Sequence, residues 1–148
     1  MINKANHHCC VVAIDGVGIL LEGASGSGKT SLALGLIEAA RLRGFLASMV
    51  CDDQAILQKQ RTKLVAHAPA TIAGLVEIRG HGVVRIDHLS HTPVNLVARL
   101  VADEAIERMP CEKSVVLRGV VVCLIEVPQR HEALAIRIIL ARLGTRLI

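Results

Sequence analysis

Tryptophan and tyrosine are absent, and Phe45 is the only aromatic residue among 148. The chain therefore lacks the stacking platforms on which single-stranded nucleic acid is held. Its 17 basic and 13 acidic residues leave a mild net charge of +4 and are dispersed along the sequence, which argues against nucleic acid as a partner. No pair of the five cysteines has C-x-x-C spacing and their number is odd, so reduced thiols are expected rather than a disulfide framework. Long apolar runs are missing too. Despite a mean hydropathy of +0.50, stretches such as GVVVCLI fall well short of the roughly 20 residues that a spanning helix needs. The opening segment MINKANHHCC has no apolar stretch leading to a cleavage site. A cytoplasmic protein with no membrane partner is expected.

Apolar residues make up 52% of the chain, almost all of them aliphatic, as in sheets buried on both faces. With no repeat or linker visible, residues 1–148 read as a single α/β domain. In CCVVAIDGVGILLEG two β-rich runs flank Asp15-Gly16, a strong signal for a two-residue hairpin. The implied register pairs Ile14 with Val17, Val12 with Ile19 and Cys10 with Leu21, and projects His8 opposite Gly23. KTSLALGLIEAARLR reads as a helix capped by Gly44, followed by a buried strand FLASMVC. Strand, glycine loop, helix and strand compose a βαβ unit, whose ligands sit beyond the carboxyl ends of parallel strands. AILQKQRTKLVAHA suggests a hairpin and PATIAGLVEI a short helix begun by proline. Strands follow near VVRIDHL, PVNLVARLV and SVVLRGVVVCLIEV, and a closing helix in RHEALAIRIILARL.

The stretch Gly23, Ala24, Ser25, Gly26, Ser27, Gly28, Lys29, Thr30 matches G-x-x-x-x-G-K-[ST] at every position and lies between an apolar strand and a helix. Glycines let backbone N–H groups converge on phosphate oxygens, aided by the positive end of the helix. Lys29 would reach the β and γ phosphates, and Thr30 would offer its hydroxyl to Mg²⁺. Asp52 and Asp53 sit at the exit of the next strand. There, one carboxylate can organise the metal while another takes a proton from an attacking hydroxyl; a solvated strand-end turn is the plain alternative. His8 and Cys10 share one strand face, and His7 and Cys9 the other, so HHCC offers no compact zinc site. Glu77 and Arg79 are placed at a helix end before two glycines, as a metal carboxylate and a phosphate-neutralising guanidinium or as a surface ion pair. Arg108, Arg130, Arg137, Arg142 and Arg146 read as surface cations.

Taken together, the histidine strand NHHCCVVAIDGVGILLEG, the loop GASGSGKT, the acidic end VCDDQ and the signature LVEIRGHGV resemble bacterial HPr kinase/phosphorylase in the short form that consists of its catalytic domain. The resemblance implies a P-loop nucleotide-binding core with a mixed sheet, similar to the nucleotide domain of phosphoenolpyruvate carboxykinase. It implies transfer of the γ-phosphoryl group of ATP to a regulatory serine of the phosphocarrier HPr, and phosphorolysis of that phosphoserine by phosphate to give pyrophosphate. By position it assigns His8, Lys29, Asp52 and Arg108 as catalytic, with Asp52 as proton acceptor and, in reverse, donor. It assigns the loop with Asp53 and Arg79 to the nucleotide, and Thr30 and Glu77 to Mg²⁺, or Mn²⁺ in its place. His8 is expected to orient Asp52. EVPQRHEALAI resembles a later functional segment that includes Arg130. Thr30 departs from a more usual serine, and Ala24 from a more usual polar residue. A homo-oligomer, up to the hexamer of full-length relatives, is the implied assembly. A kinase of a small metabolite and a nucleotide-binding module without turnover remain as alternatives.

Overall fold

The computed structural model describes residues 6–144. Eleven strands and two helices follow in the order β1 (Asn6–His8), β2 (Cys10–Ile14), β3 (Val17–Glu22), α1 (Lys29–Leu42), β4 (Ala47–Cys51), β5 (Gln54–Gln60), β6 (Lys63–His67), β7 (Leu75–Ile78), β8 (Gly82–Arg85), β9 (His91–Val101), β10 (Lys113–Leu117), β11 (Val120–Pro128) and α2 (Glu132–Leu143). A single 3₁₀ turn occupies Asp103–Ala105. Arg146 lies outside the described residues.

Nine strands form one curled, mixed sheet in the order β1-β5-β6-β9-β3-β2-β4, with β11 added to β9 and β10 to β11. The sheet forks at β9. The first residues of that strand pair antiparallel with β6, through Val65↔Pro93 to His67↔His91. Its later residues pair parallel with β11, from Leu96↔Cys123 to Val101↔Pro128. Two-residue alternation sorts the aliphatic side chains onto two cores. Cys10, Val12, Ile14, Ile19 and Leu21 face the helices with Leu32, Leu36, Ile37 and Ile139. Cys9, Val11, Ala13 and Leu20 face the other way, where the curl brings in Leu57, Leu64, Val94 and Leu124.

The Asp15-Gly16 hairpin has the expected register, Ile14↔Val17, Val12↔Ile19 and Cys10↔Leu21. Positive φ at both turn residues, 48° and 79°, gives the twist that such a turn requires. The register ends at Cys10. After Cys9 the chain leaves β3, and His8 pairs with Gln54 of β5, not with Gly23. The cause is the reversal after β4: the Gln54 N–H donates to the Asp52 carbonyl at 2.8 Å, Asp53 takes φ 71°, and β5 turns back to capture β1.

Helix α1 starts and stops where the sequence indicates. Leu32, Ala33, Leu36, Ile37 and Ala40 give it a buried stripe. Its end is a Schellman cap: Gly44 at φ 83° donates to the Arg41 carbonyl, and Phe45 donates to the Ala40 carbonyl. The β3-loop-α1-β4 unit differs from a simple βαβ crossover, because β2 lies between β3 and β4 and runs antiparallel to both. β3, β4, β9 and β11 nevertheless point the same way and end at one edge of the sheet.

The helix expected over PATIAGLVEI does not form. Residues 69–74 make successive turns, closed by Ile72 N–H to the Pro69 carbonyl and Leu75 N–H to the Ile72 carbonyl. Gly74 at φ 76° stops any helix. Leu75–Ile78 then becomes β7, paired with β8 in a separate two-stranded ribbon whose turn is Arg79-Gly80-His81. The tertiary partner GVVR overrides the weak local preference of the four residues LVEI.

Glu22 ends β3 opposite Arg99. His7, 3.5 Å away, and Arg99, 2.8 Å away, hold its carboxyl below its ordinary value of 4.5 against the opposing effect of burial. A depressed folded value means that this stabilisation is complete above pH 4.5 and is lost as pH falls through the lower folded value. Glu22→Gln is expected to cost about 1 kcal/mol at neutral pH and nothing once the native carboxyl is protonated. Urea midpoints of the two chains should therefore converge on acidification.

Candidate functional site

The common carboxyl edge of β3, β4, β9 and β11 borders a cleft of about 840 Å³. Beyond β3 the loop Gly23–Gly28 wraps the start of α1. Gly26 and Gly28 take φ 77° and 95°, conformations that a side chain would strain, so these two glycines permit the tight path of the loop. No acidic residue occupies the first turn of α1, so the positive end of the helix is not neutralised from within. Lys29 is 7% exposed, and its Nζ donates to the carbonyls of Gly23 and Ala24 at 3.0 and 3.1 Å. Ser27 is buried, and its Oγ has no hydrogen-bond partner among the described residues.

Asp52 is 8% exposed and stands at the end of β4. Its Oδ1 accepts from the Thr30 hydroxyl at 2.6 Å and from the Cys10 thiol at 3.1 Å. Burial first, and then the neighbouring Asp52 charge, push the Cys10 thiol well above the usual range, so it stays protonated as a donor. Among the described residues, Oδ2 accepts from the Glu77 N–H alone, at 3.4 Å. The two oxygens are thus unequal. Oδ1 carries two short contacts, and Oδ2 one long one.

His8 reaches this edge from β1, but its Nε2 contacts Asp53 Oδ1 at 2.8 Å, not Asp52. Glu77 and Arg79 enter the cleft from β7 and its hairpin turn rather than from a helix end. Arg130 arrives from the segment after β11 at φ 55°; its Nε donates to the Gly26 carbonyl at 3.1 Å and its N–H to the Ser27 carbonyl. Arg108 is exposed after the 3₁₀ turn and is not among the residues that line the cleft. His8, Ser25, Gly26, Gly28, Lys29, Thr30, Asp52, Asp53, Glu77, Arg79 and Arg130 all line it. The sequence reading treated Cys10 only as a strand thiol, although its shared face with His8 was the signal. Ser31 and Glu132, 2.7 Å apart, escaped notice because 101 positions separate them.

Among the described residues, no three His, Cys, Asp or Glu side chains form a ready cage for a metal. The donor set nevertheless fits Mg²⁺, which prefers hard oxygens and takes few ligands from the protein when phosphates supply the rest. Thr30 Oγ1 and the Asp52 carboxylate are adjacent, and Glu77 faces the same cleft.

A mixed sheet, a glycine-rich loop at its carboxyl edge and a buried carboxylate against the loop threonine define an α/β protein of the phosphate-loop class. The chain belongs to the HPr Serine kinase C-terminal domain family, which matches residues 1–131. It is 38% identical over 102 residues to a HPr kinase/phosphorylase of Lactobacillus acidophilus, covering 64% of this chain and 30% of that protein. A HPr kinase/phosphorylase of Bacillus subtilis is 41% identical over 80 residues, covering 53% and 24%. This chain thus spans less than a third of the length of either relative. The solved HPr(Ser) kinase/phosphatase of Coxiella burnetii superposes with a TM-score of 0.77 at 25% identity, over 92% of this chain and 86% of that one.

Proposed function

We propose that this chain transfers the γ-phosphoryl group of ATP to a serine of HPr and removes it by phosphorolysis, as the names of its relatives suggest. The observation that carries the proposal is Asp52, a buried carboxylate tied to the phosphate-loop threonine at 2.6 Å with its second oxygen left under-coordinated. In the forward direction Asp52 Oδ2 takes the proton of the serine hydroxyl as the serine oxygen bonds to phosphorus and ADP departs. In reverse, phosphate attacks the phosphoserine, pyrophosphate forms, and the same Oδ2 returns its proton to the serine oxygen. Lys29, released from the Gly23 and Ala24 carbonyls, and Arg79 bind and neutralise phosphate oxygens. Arg130 takes the role that position alone had suggested for Arg108. Thr30 and Glu77, beside Asp52, would hold Mg²⁺ or Mn²⁺, which would supply charge neutralisation for the phosphates. His8 holds Asp53 at the acceptor side and keeps the cleft floor fixed. Among the described residues no helix is long and apolar enough to cross a membrane, and the reaction is assigned to the cytoplasm, where ATP and HPr meet, with residues 1–148 acting as one domain in a homo-oligomer.

The test uses γ-labelled Mg-ATP and HPr. Label should appear on a serine of HPr and leave as pyrophosphate when excess phosphate is added. ATP binding without label on HPr would sink the proposal, and turnover stimulated by a small metabolite would replace it.

A further inference from the structure

The cleft has a second arm that the phosphoryl chemistry does not use. Successive residues of a helix point about 100° apart, so Thr30 and Ser31 face different ways. Thr30 faces Asp52. Ser31, with Leu34 and Gly35 one turn on, faces α2, where Glu132 and Ala135 complete the arm. Ser31 Oγ donates to Glu132 Oε1 at 2.7 Å. Gly35 sits in the middle of α1, where glycine costs about 1 kcal/mol relative to alanine. The room it leaves is filled by Glu132: a Cβ at position 35 would lie 2.8 Å from Glu132 Oε2 and 3.0 Å from its Cδ. A helix-weakening residue and a hydroxyl together fix one carboxylate at the mouth of the cleft.

We infer that Glu132, held by Ser31 and Gly35, is the ribose-recognition group of the nucleotide site. The inference rests on the proposed ATP reading and deepens it. If the γ-phosphoryl end must lie against Asp52, the nucleoside leaves along the opposite arm, past Ser31. The first part beyond the phosphates is the ribose. Its vicinal hydroxyls are donors, and a carboxylate is an acceptor with two oxygens, so the pair match. Leu34 and Ala135 supply apolar surface beyond it.

The test is equilibrium binding of ATP, 2′,3′-dideoxy-ATP and inorganic tripolyphosphate to the full chain. The native protein should bind ATP about tenfold more tightly than the dideoxy analogue, the worth of one charged hydrogen bond. Glu132→Ala should bind ATP as weakly as it binds the analogue, with analogue and tripolyphosphate affinities unchanged. Gly35→Ala displaces the carboxylate while favouring the helix, so it should narrow the preference without lowering the Tm. A Glu132→Ala chain that keeps the native preference, or loses all three ligands equally, overturns the inference. So does a native chain that binds ATP and dideoxy-ATP alike, which leaves the ATP reading intact. A native chain that binds no triphosphate overturns both.

Discussion

An Asp52→Asn chain will transfer phosphate about a thousandfold more slowly than the native protein in both directions while binding Mg-ATP within a few-fold. Thr30 and Cys10 both donate to Oδ1, so the asparagine must place its amide oxygen there. Its NH₂ group then occupies the Oδ2 position, facing the Glu77 N–H, and the atom proposed to accept the serine proton has become a donor. The loop, Lys29 and the start of α1 are untouched, which is why binding survives. Forward and reverse rates measured on HPr and phosphoserine-HPr, with ATP affinity by calorimetry, check this. Retention of more than a tenth of either rate would remove Asp52 as the proton-transfer group.

Gly18→Ala carries the largest expected cost in stability. Gly18 lies in β3 against β9, and a Cβ there would fall 1.7 Å from the Pro93 carbonyl oxygen and 2.8 Å from its carbon. Both atoms are backbone, so no rotamer relieves the clash and the two central strands must part. The Gly18 N–H would also lose the Asn95 Oδ1 acceptor at 2.9 Å. The combined penalty is about 3 kcal/mol or more, read as a fall in the urea midpoint. Since β3 carries the phosphate loop, the folded remainder should also bind ATP more weakly. A loss below about 1 kcal/mol would show that β3 and β9 are less tightly joined than their register indicates.

What the sequence revealed was mostly local. The Asp15-Gly16 hairpin, the phosphate loop and the Gly44 cap each depend on a few neighbouring residues whose allowed φ values point to one answer. His8 was misplaced because a register was extended beyond the residue where the chain changes partner, and the capturing strand, β5, is about 45 positions away. Leu75–Ile78 differs from the expected helix because a segment as short as LVEI has no decisive period of its own and takes the form that β8 imposes. The surroundings of Arg108 and Arg130 are equally non-local: both are loop cations, and Arg130 alone of the two bonds the Gly26 and Ser27 carbonyls. The family resemblance points to Asp52 but says nothing of the inequality of its oxygens, which the Cys10 thiol helps to create.

The 2.6 Å contact between Thr30 and Asp52 joins the first turn of α1 to the end of β4 before any ligand arrives. Reorganisation is therefore small: an incoming nucleotide finds helix and strand already at their working separation and needs only an exchange of partners at two oxygens. Entropy that would be spent in gathering the loop and the carboxylate has been spent during folding. A single hydroxyl thus ties the start of the helix to the end of the strand across the cleft.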